Sequence, residues 1–270
     1  MFLVNYSSSS SEEEEEEEQE QKKRGLGEAG SRGPAEQGAV GGAEVKSQRL
    51  PVPESVMGMF REFEEEPDDS AKHDGRIRSF PHQRGNWATL VYLEYYPVEE
   101  FFELIDLLLT HLQTVRLPMV RLSEFHISLS QTVVLRYHWI NIFVESLKEK
   151  LSFFDRFYCV SDKVKIYINE EKTRTFLGLE VSGGNNYLQE VVSEVDKCMK
   201  EFDLKTYHKK PSFHISVAWC LGDVTAELEK HNQELQAIVD RFENSSRVLQ
   251  MFADQVRCKI GNKIFSFPMR

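Results

Sequence analysis

The sequence predicts a duplicated α+β fold of two lobes, with sheets that face each other across a cleft. Three observations lead there. The tetrapeptide Phe-His-Ile-Ser occurs twice, at Phe125–Ser128 and at Phe213–Ser216, with the two histidines 88 residues apart. Each copy reads as a strand set between two stretches with helical apolar spacing. The charge is also segregated. Residues 1–75 carry 19 Asp/Glu against 8 Lys/Arg, the whole net charge of −11, and the rest of the chain balances to zero.

The front segment contains Ser7–Ser11, the unbroken run Glu12–Glu18 and the Gly/Ala-rich stretch Gly25–Ala43. It has too little apolar content to offset the entropy of ordering it, so residues 1–75 read as a disordered acidic segment. The opening Met-Phe-Leu-Val-Asn-Tyr is too short for a signal peptide. No apolar run approaches the roughly 20 residues that span a bilayer, so no membrane partner is expected. The folded part is placed at 76–270, starting near Arg76–Pro81, with lobes of approximately 76–160 and 161–270.

In the first lobe, Trp87–Tyr95 is aromatic and β-branched and reads as a strand closed by Pro97. Val98–Leu112 follows as a helix, with Phe101, Leu104, Ile105, Leu108 and Leu109 on one stripe. Then come the first His strand across Glu124–Leu135, a helix across Trp139–Leu151 and a strand at Arg156–Val160. The second lobe opens with a hairpin of Val164–Ile168 and Thr175–Val181 around the loop Asn169–Arg174, and Gly183-Gly184 ends its second strand. A helix at Tyr187–Phe202 leads to the second His strand, Ser212–Cys220. A helix at Val224–Phe242 and strands at Val248–Lys259 and Lys263–Phe267 complete the chain, with Gly261-Asn262 as the tight turn between the last two. Trp87, Trp139 and Trp219 are expected in the core.

Side chains alternate along a strand. Phe125, Ile127 and Leu129 therefore oppose His126, Ser128 and Ser130, and Phe213, Ile215 and Val217 oppose His214, Ser216 and Ala218. Each strand has an apolar face for a core and a His/Ser face aimed elsewhere, with His and Ser roughly 6.6 Å apart along it. A lone strand histidine is usually structural. A structural role has no ready reason to want imidazole plus hydroxyl on two matching strands. Two opposed imidazoles can take a proton on one side of a phosphate and give one on the other.

Other chemistries lack their signatures. No HExxH, HxH or clustered Cys/His spacing suggests a metal, and His73, His82, His111, His138, His208 and His231 are dispersed. There is no Gly-x-Ser-x-Gly elbow and no phosphate-cradling glycine loop. Cys159, Cys198, Cys220 and Cys258 have no CxxC spacing and read as free thiols of a reducing compartment. The neutral domain lacks the basicity of a long-tract nucleic-acid binder, so contacts with a few phosphates near an end are expected. The loop Lys205–Ser212 leads directly into His214. It reads either as an exposed basic loop or as a substrate rim, in which Tyr207 or His208 stacks on a base and Lys210 meets a phosphate beside Pro211 and Ser212. Glu170, in the hairpin loop, is a weaker rim candidate.

Paired His-x-Ser strands in matching halves resemble the two-histidine (2H) phosphodiesterases. The similarity extends to Gly75–Arg78, Arg84–Thr89, Phe125–Gln131, Glu171–Phe176, Pro211–Ser216 and Val256–Lys259, where it narrows to the U6 small nuclear RNA phosphodiesterases of that superfamily. It covers nearly all of residues 75–270. The resemblance implies the 2H fold: two antiparallel sheets facing a central cleft, with helices outside. It implies a nuclear, metal-independent 3′-to-5′ exoribonuclease that needs no cofactor. The enzyme would trim the oligouridine 3′ end of U6 RNA and leave a 2′,3′-cyclic phosphate. UMP- or AMP-like nucleotides are the implied small ligands, and a monomer without an obligate protein partner is expected. Carried over, His126 is the general base, His214 the general acid, and Ser128 and Ser216 hold the phosphate. The family pattern has a Tyr six residues before the second histidine, where this chain has His208 preceded by Tyr207, and either could stack on the terminal base. Two other readings stay open: an enzyme that opens cyclic phosphates with the same four residues, and a non-catalytic nucleotide-binding module.

Overall fold

The structure, a computed structural model, describes residues 85–270. The acidic segment 1–75 and the expected start at Arg76–Pro81 lie outside the described residues. Ten strands and six α-helices follow in the order β1 (Asn86–Tyr95), α1 (Glu99–Thr114), β2 (Val120–Arg121), β3 (Phe125–Ser128), β4 (Val133–Arg136), α2 (Ile140–Leu151), β5 (Phe157–Ile168), β6 (Arg174–Gly183), α3 (Asn185–Glu201), β7 (His214–Leu221), α4 (Thr225–Glu229), α5 (Asn232–Asp240), α6 (Ser246–Leu249), β8 (Gln250–Ala253), β9 (Gln255–Ile260) and β10 (Lys263–Pro268). The architecture is α+β. The strands pair antiparallel in the order β10-β9-β1-β3-β7-β6-β5-β8, with β4 also on β1 and β2 on β7.

In place of two separate sheets the described strands form one, whose two halves meet at a seam. A single pair, Ile127 with Ile215, links β3 to β7. The helices bury their stripes against one face. Phe101, Leu104, Ile105 and Leu108 of α1, Phe143 and Leu147 of α2 and Val191 and Val195 of α3 share a core with Val91, Leu93, Ile127, Leu179, Ile215 and Val217. The His/Ser faces are therefore turned away from the helices.

Several elements differ from the sequence reading, each for a visible reason. The first His strand is two strands, β3 and β4. Both Leu129 N and Ser130 N donate to the Val91 carbonyl, at 2.8 and 3.2 Å, and Val91 N donates to Ser130 Oγ at 2.9 Å. The extra residue interrupts the ladder, and Ser130 spends its hydroxyl on β1 backbone instead of joining His126 and Ser128. The strands expected at Arg156–Val160 and Val164–Ile168 are one strand, β5, whose register against β6 shifts around Ser161. The helix expected across Val224–Phe242 is broken at Lys230-His231, where α4 ends in i→i+3 bonds from Lys230 N and His231 N.

The strand expected at Val248–Lys259 is a short helix and two strands in different halves: β8 pairs β5, and β9 pairs β1. In β7, Leu177 faces Ala218 while Gly178 faces Ser216, so one residue is extra. The bulge inverts the alternation beyond Ser216. Ala218, expected on the His face, joins the core. Trp219 is buried as expected, in a small core cluster of its own with Tyr167 and Phe176.

Two glycines serve special backbone. Gly184 starts α3 at φ +90°, and a Cβ there would stand 2.6 Å from the Tyr158 carbonyl oxygen. Gly261, at φ +56°, turns β9 into β10 and donates to the Ala88 carbonyl. All four cysteines are free thiols, and burial pushes Cys198 up to about 11 and Cys159 up to about 12.

Candidate active site

The seam brings the two motifs together. One step either side of the Ile127/Ile215 pair, the antiparallel register sets His126 beside Ser216 and Ser128 beside His214. Two tetrapeptides 88 residues apart thus become a local two-fold arrangement of two imidazoles and two hydroxyls. His214 and Ser216 are buried, at 5% and 4% exposure, while His126 and Ser128 are half-buried.

The repeat continues across the neighbouring strands. Glu94 on β1 faces His126, and Glu180 on β6 faces His214. Tyr92 faces Ser128, and Gly178 faces Ser216. One strand further out, Arg257 on β9 faces Tyr92, and Lys165 on β5 faces Gly178. Each carboxylate is ion-paired with its own cation, Glu94 with Arg257 and Glu180 with Lys165. Each histidine thus has a cross-strand carboxylate held by a cation. Tyr96 adds to the first network, its hydroxyl donating to Glu94 Oε2 at 2.7 Å and accepting from Arg257 at 2.5 Å.

The surroundings of the two rings then diverge. Tyr92 meets the His126 ring edge-on, centroids 5.4 Å apart. Tyr167 lies flat against His214 at 3.7 Å. His214 Nδ1 is 2.7 Å from the Ser212 carbonyl oxygen, which can only accept, so Nδ1 carries a proton and the neutral ring keeps its lone pair on Nε2. Burial pushes both histidines down to about 4. At His126 the Lys259 ammonium adds to that push, and Glu94 opposes it. At His214 the Ser212 carbonyl opposes it most, followed by Glu180, while His126 and Lys165 add to it.

The rim residues take distinct places. Tyr207 packs against the core, its ring 6.0 Å from Phe213, and its backbone N donates to Asp196 Oδ1 at 2.8 Å. His208 is half-buried beside it, and burial lowers its pKa against the pull of Glu170. Glu170 accepts from Lys205 Nζ at 3.2 Å, which ties the hairpin loop to the rim. Gln131 Nε2 donates to the Thr206 carbonyl at 2.9 Å, tying the rim to the other half. Lys210 is exposed and Pro211 half-buried. Ser212 lies beside His214, with its hydroxyl 3.0 Å from the Tyr167 hydroxyl.

Sequence reading overlooked Tyr92, Glu94, Lys165, Tyr167, Gly178, Glu180 and Arg257. One signal was present. Leu-Glu also repeats, at Leu93-Glu94 and Leu179-Glu180, 86 residues apart and nearly in step with the Phe-His-Ile-Ser copies. Among the described residues no group of three His, Cys, Asp or Glu is arranged to hold a metal ion, and no helix is long and apolar enough to cross a membrane. The arrangement can move protons on two sides of a bound phosphodiester while two hydroxyls donate to its non-bridging oxygens.

The family model HVSL, described as an uncharacterised conserved protein, matches residues 50–268. U6 snRNA phosphodiesterase 1 of Homo sapiens is 54% identical over 232 residues, covering 85% of this chain and 88% of that protein. The Bos taurus protein of the same name is 54% identical over 258 residues, 91% of this chain and 97% of that protein. The Drosophila melanogaster one is 34% identical over 84% of this chain and 88% of that protein. The structure of Kluyveromyces marxianus Usb1 superposes with a TM-score of 0.51 at 16% identity, covering 67% of this chain and 98% of that one, and shares the fold. The chain belongs to the U6 snRNA phosphodiesterase 1 family.

Proposed function

We propose that this chain is a nuclear 3′-to-5′ exoribonuclease. It trims the oligouridine 3′ end of U6 small nuclear RNA by 2′-OH transesterification, leaving a 2′,3′-cyclic phosphate. The observation that carries the reading is the two-fold placement of His126, Ser128, His214 and Ser216 about the Ile127/Ile215 pair. The family supplies the RNA, since its named members are U6 snRNA phosphodiesterases. The Kluyveromyces marxianus fold relative has also been solved with uridine monophosphate.

His126 takes the proton of the penultimate ribose 2′-OH. The oxygen attacks the neighbouring phosphorus, the bond from phosphorus to the 5′-oxygen breaks, and His214 Nε2 gives its proton to the departing oxygen. The surroundings support this order. Lys259 disfavours a charged His126, which suits a base. The Ser212 carbonyl and Glu180 favour a charged His214, which suits an acid. A phosphodiester between the rings supplies negative charge that favours the imidazolium further. Ser128 and Ser216 donate to the non-bridging oxygens as charge builds. Tyr207 is half-buried with its ring packed against the core, so His208 is assigned the terminal base, with Lys210 and Pro211 along the phosphate path and Glu170 holding the rim through Lys205.

The test removes one substrate hydroxyl. RNA with a 2′-deoxy residue at the penultimate position lacks the nucleophile, and its first cut is expected to fail. Deoxy substitution at the terminal position is expected to leave cleavage in place. Normal cleavage of the penultimate-deoxy RNA, or a linear phosphate as the first product, would overturn the mechanism. The activity is assigned to residues 76–270, so a chain starting at Lys72 is expected to cleave at the full rate in the same assay.

A further inference from the structure

Tyr167 closes a ring of contacts around His214. It stands on the same face of β5 as Lys165, two residues beyond it, and is 1% exposed. Its ring is stacked on the imidazole, centroids 3.7 Å apart and planes 18° apart. Its hydroxyl is 3.0 Å from Ser212 Oγ. Ser212 in turn offers its carbonyl to His214 Nδ1 at 2.7 Å. The Ser212 hydroxyl is itself saturated: it donates to Glu180 Oε1 at 2.5 Å and accepts from Lys165 Nζ at 3.1 Å, leaving a second lone pair for the tyrosine O–H. Gly178 leaves the space for the stack. A Cβ there would lie 2.8 Å from Tyr167 Cε2 and 3.2 Å from His214 Cδ2.

We infer that Tyr167 is a positioning residue for the acid step, fixing the plane of the His214 ring, and that Gly178 is the space this stack requires. The inference rests on His214 being the general acid. A hydrogen bond at Nδ1 sets the tautomer and one direction of the ring but leaves it free to tilt about that bond. A flat aromatic face bonded to the same serine removes the tilt, so Nε2 keeps one direction toward the leaving oxygen. A misplacement of about 1 Å in such a group can cost about 10²-fold in rate. The first half has no counterpart: at the register place of Gly178 stands Tyr92, and at the place of Tyr167, two residues along from the cation, stands Lys259.

The test uses Tyr167→Leu, Tyr167→Phe and Gly178→Ala on oligouridylated RNA, with kcat, KM, the thermal midpoint and the side-chain ¹⁵N spectrum of His214. Tyr167→Leu is expected to lower kcat by about 10- to 10²-fold with KM within about twofold, and to move the His214 ring resonances. Gly178→Ala should act in the same sense. Tyr167→Phe, which keeps the stack and loses one bond, should recover most of the rate. Folded Leu and Ala variants with normal kcat would overturn the inference, as would a change confined to KM, which would make Tyr167 a substrate contact. If the Leu variant does not fold, the Phe and Ala variants decide. Loss of folding in all three would assign the stack to stability alone and overturn it. His214→Ala separates the two levels: if it stays active, the acid assignment fails, whatever the Tyr167 variants do.

Discussion

The two halves of this sheet share a backbone plan and differ in what fills it. In the first, His126 is half-buried, Tyr92 meets it edge-on, and the Lys259 ammonium on β9 disfavours its charged form. In the second, His214 is buried, glycine replaces the tyrosine, and Tyr167 stands where the first half has lysine. A repeated backbone yields two equivalent imidazoles, but a proton relay needs one neutral and one charged. The repeated motif cannot supply that difference. The halves differ instead in the strands around each histidine, at Lys259 and Tyr167 two strands away.

The largest effects should come from the parts the halves share. His126→Ala and His214→Ala are each expected to lower turnover by at least about 10²- to 10⁴-fold with the fold kept, as read by steady-state rates and circular dichroism. If only one mattered, the halves would not be partners in one reaction. Ser128→Ala and Ser216→Ala should each cost kcat about 10²- to 10³-fold, as loss of one donor to a developing oxyanion does. A loss confined to KM would make the hydroxyls ground-state contacts.

A smaller and more discriminating effect is expected where the halves differ. Lys259→Met removes the cation that disfavours a charged His126, so the His126 pKa should rise. A base must be neutral to act, so the acidic limb of the rate profile should move to higher pH while the basic limb, set by His214, stays in place. Movement of the basic limb instead would exchange the two assignments.

The smallest effect concerns stability. Both histidines have native pKa values near 4, below the ordinary 6.5. Between those values the unfolded chain binds more protons than the native one, so stability falls as pH drops from 6.5 toward 4. His126→Gln and His214→Gln should each flatten that slope in urea unfolding curves taken across this range. An unchanged slope would mean the imidazoles are already charged in the native protein.

Much of this was legible in advance because a strand's alternation is local. The identities at Phe125–Ser128 and Phe213–Ser216 were enough to tell which side chains face a core and which face a cleft. Apolar spacing placed α1, α2 and α3 within a few residues. The errors fell where pairing partners decide. Nothing in Val248–Lys259 tells that the chain changes sheet halves at Asp254. Nothing near Ser216 announces the bulge that turns Ala218 into the core. Leu93-Glu94 and Leu179-Glu180 were visible as a repeat, but their meaning depends on facing the histidines across the ladder.

By itself, then, the sequence determined the duplication, the two faces of each His strand and the residue types available for acid–base work, since these depend on composition and a period of two. Only the tertiary structure decided which residues surround each histidine. Arg257 and Lys259 lie more than 130 residues from His126, and Tyr167 lies 47 residues from His214. Such neighbours are set by strand register and bulges, which follow from packing across the whole sheet.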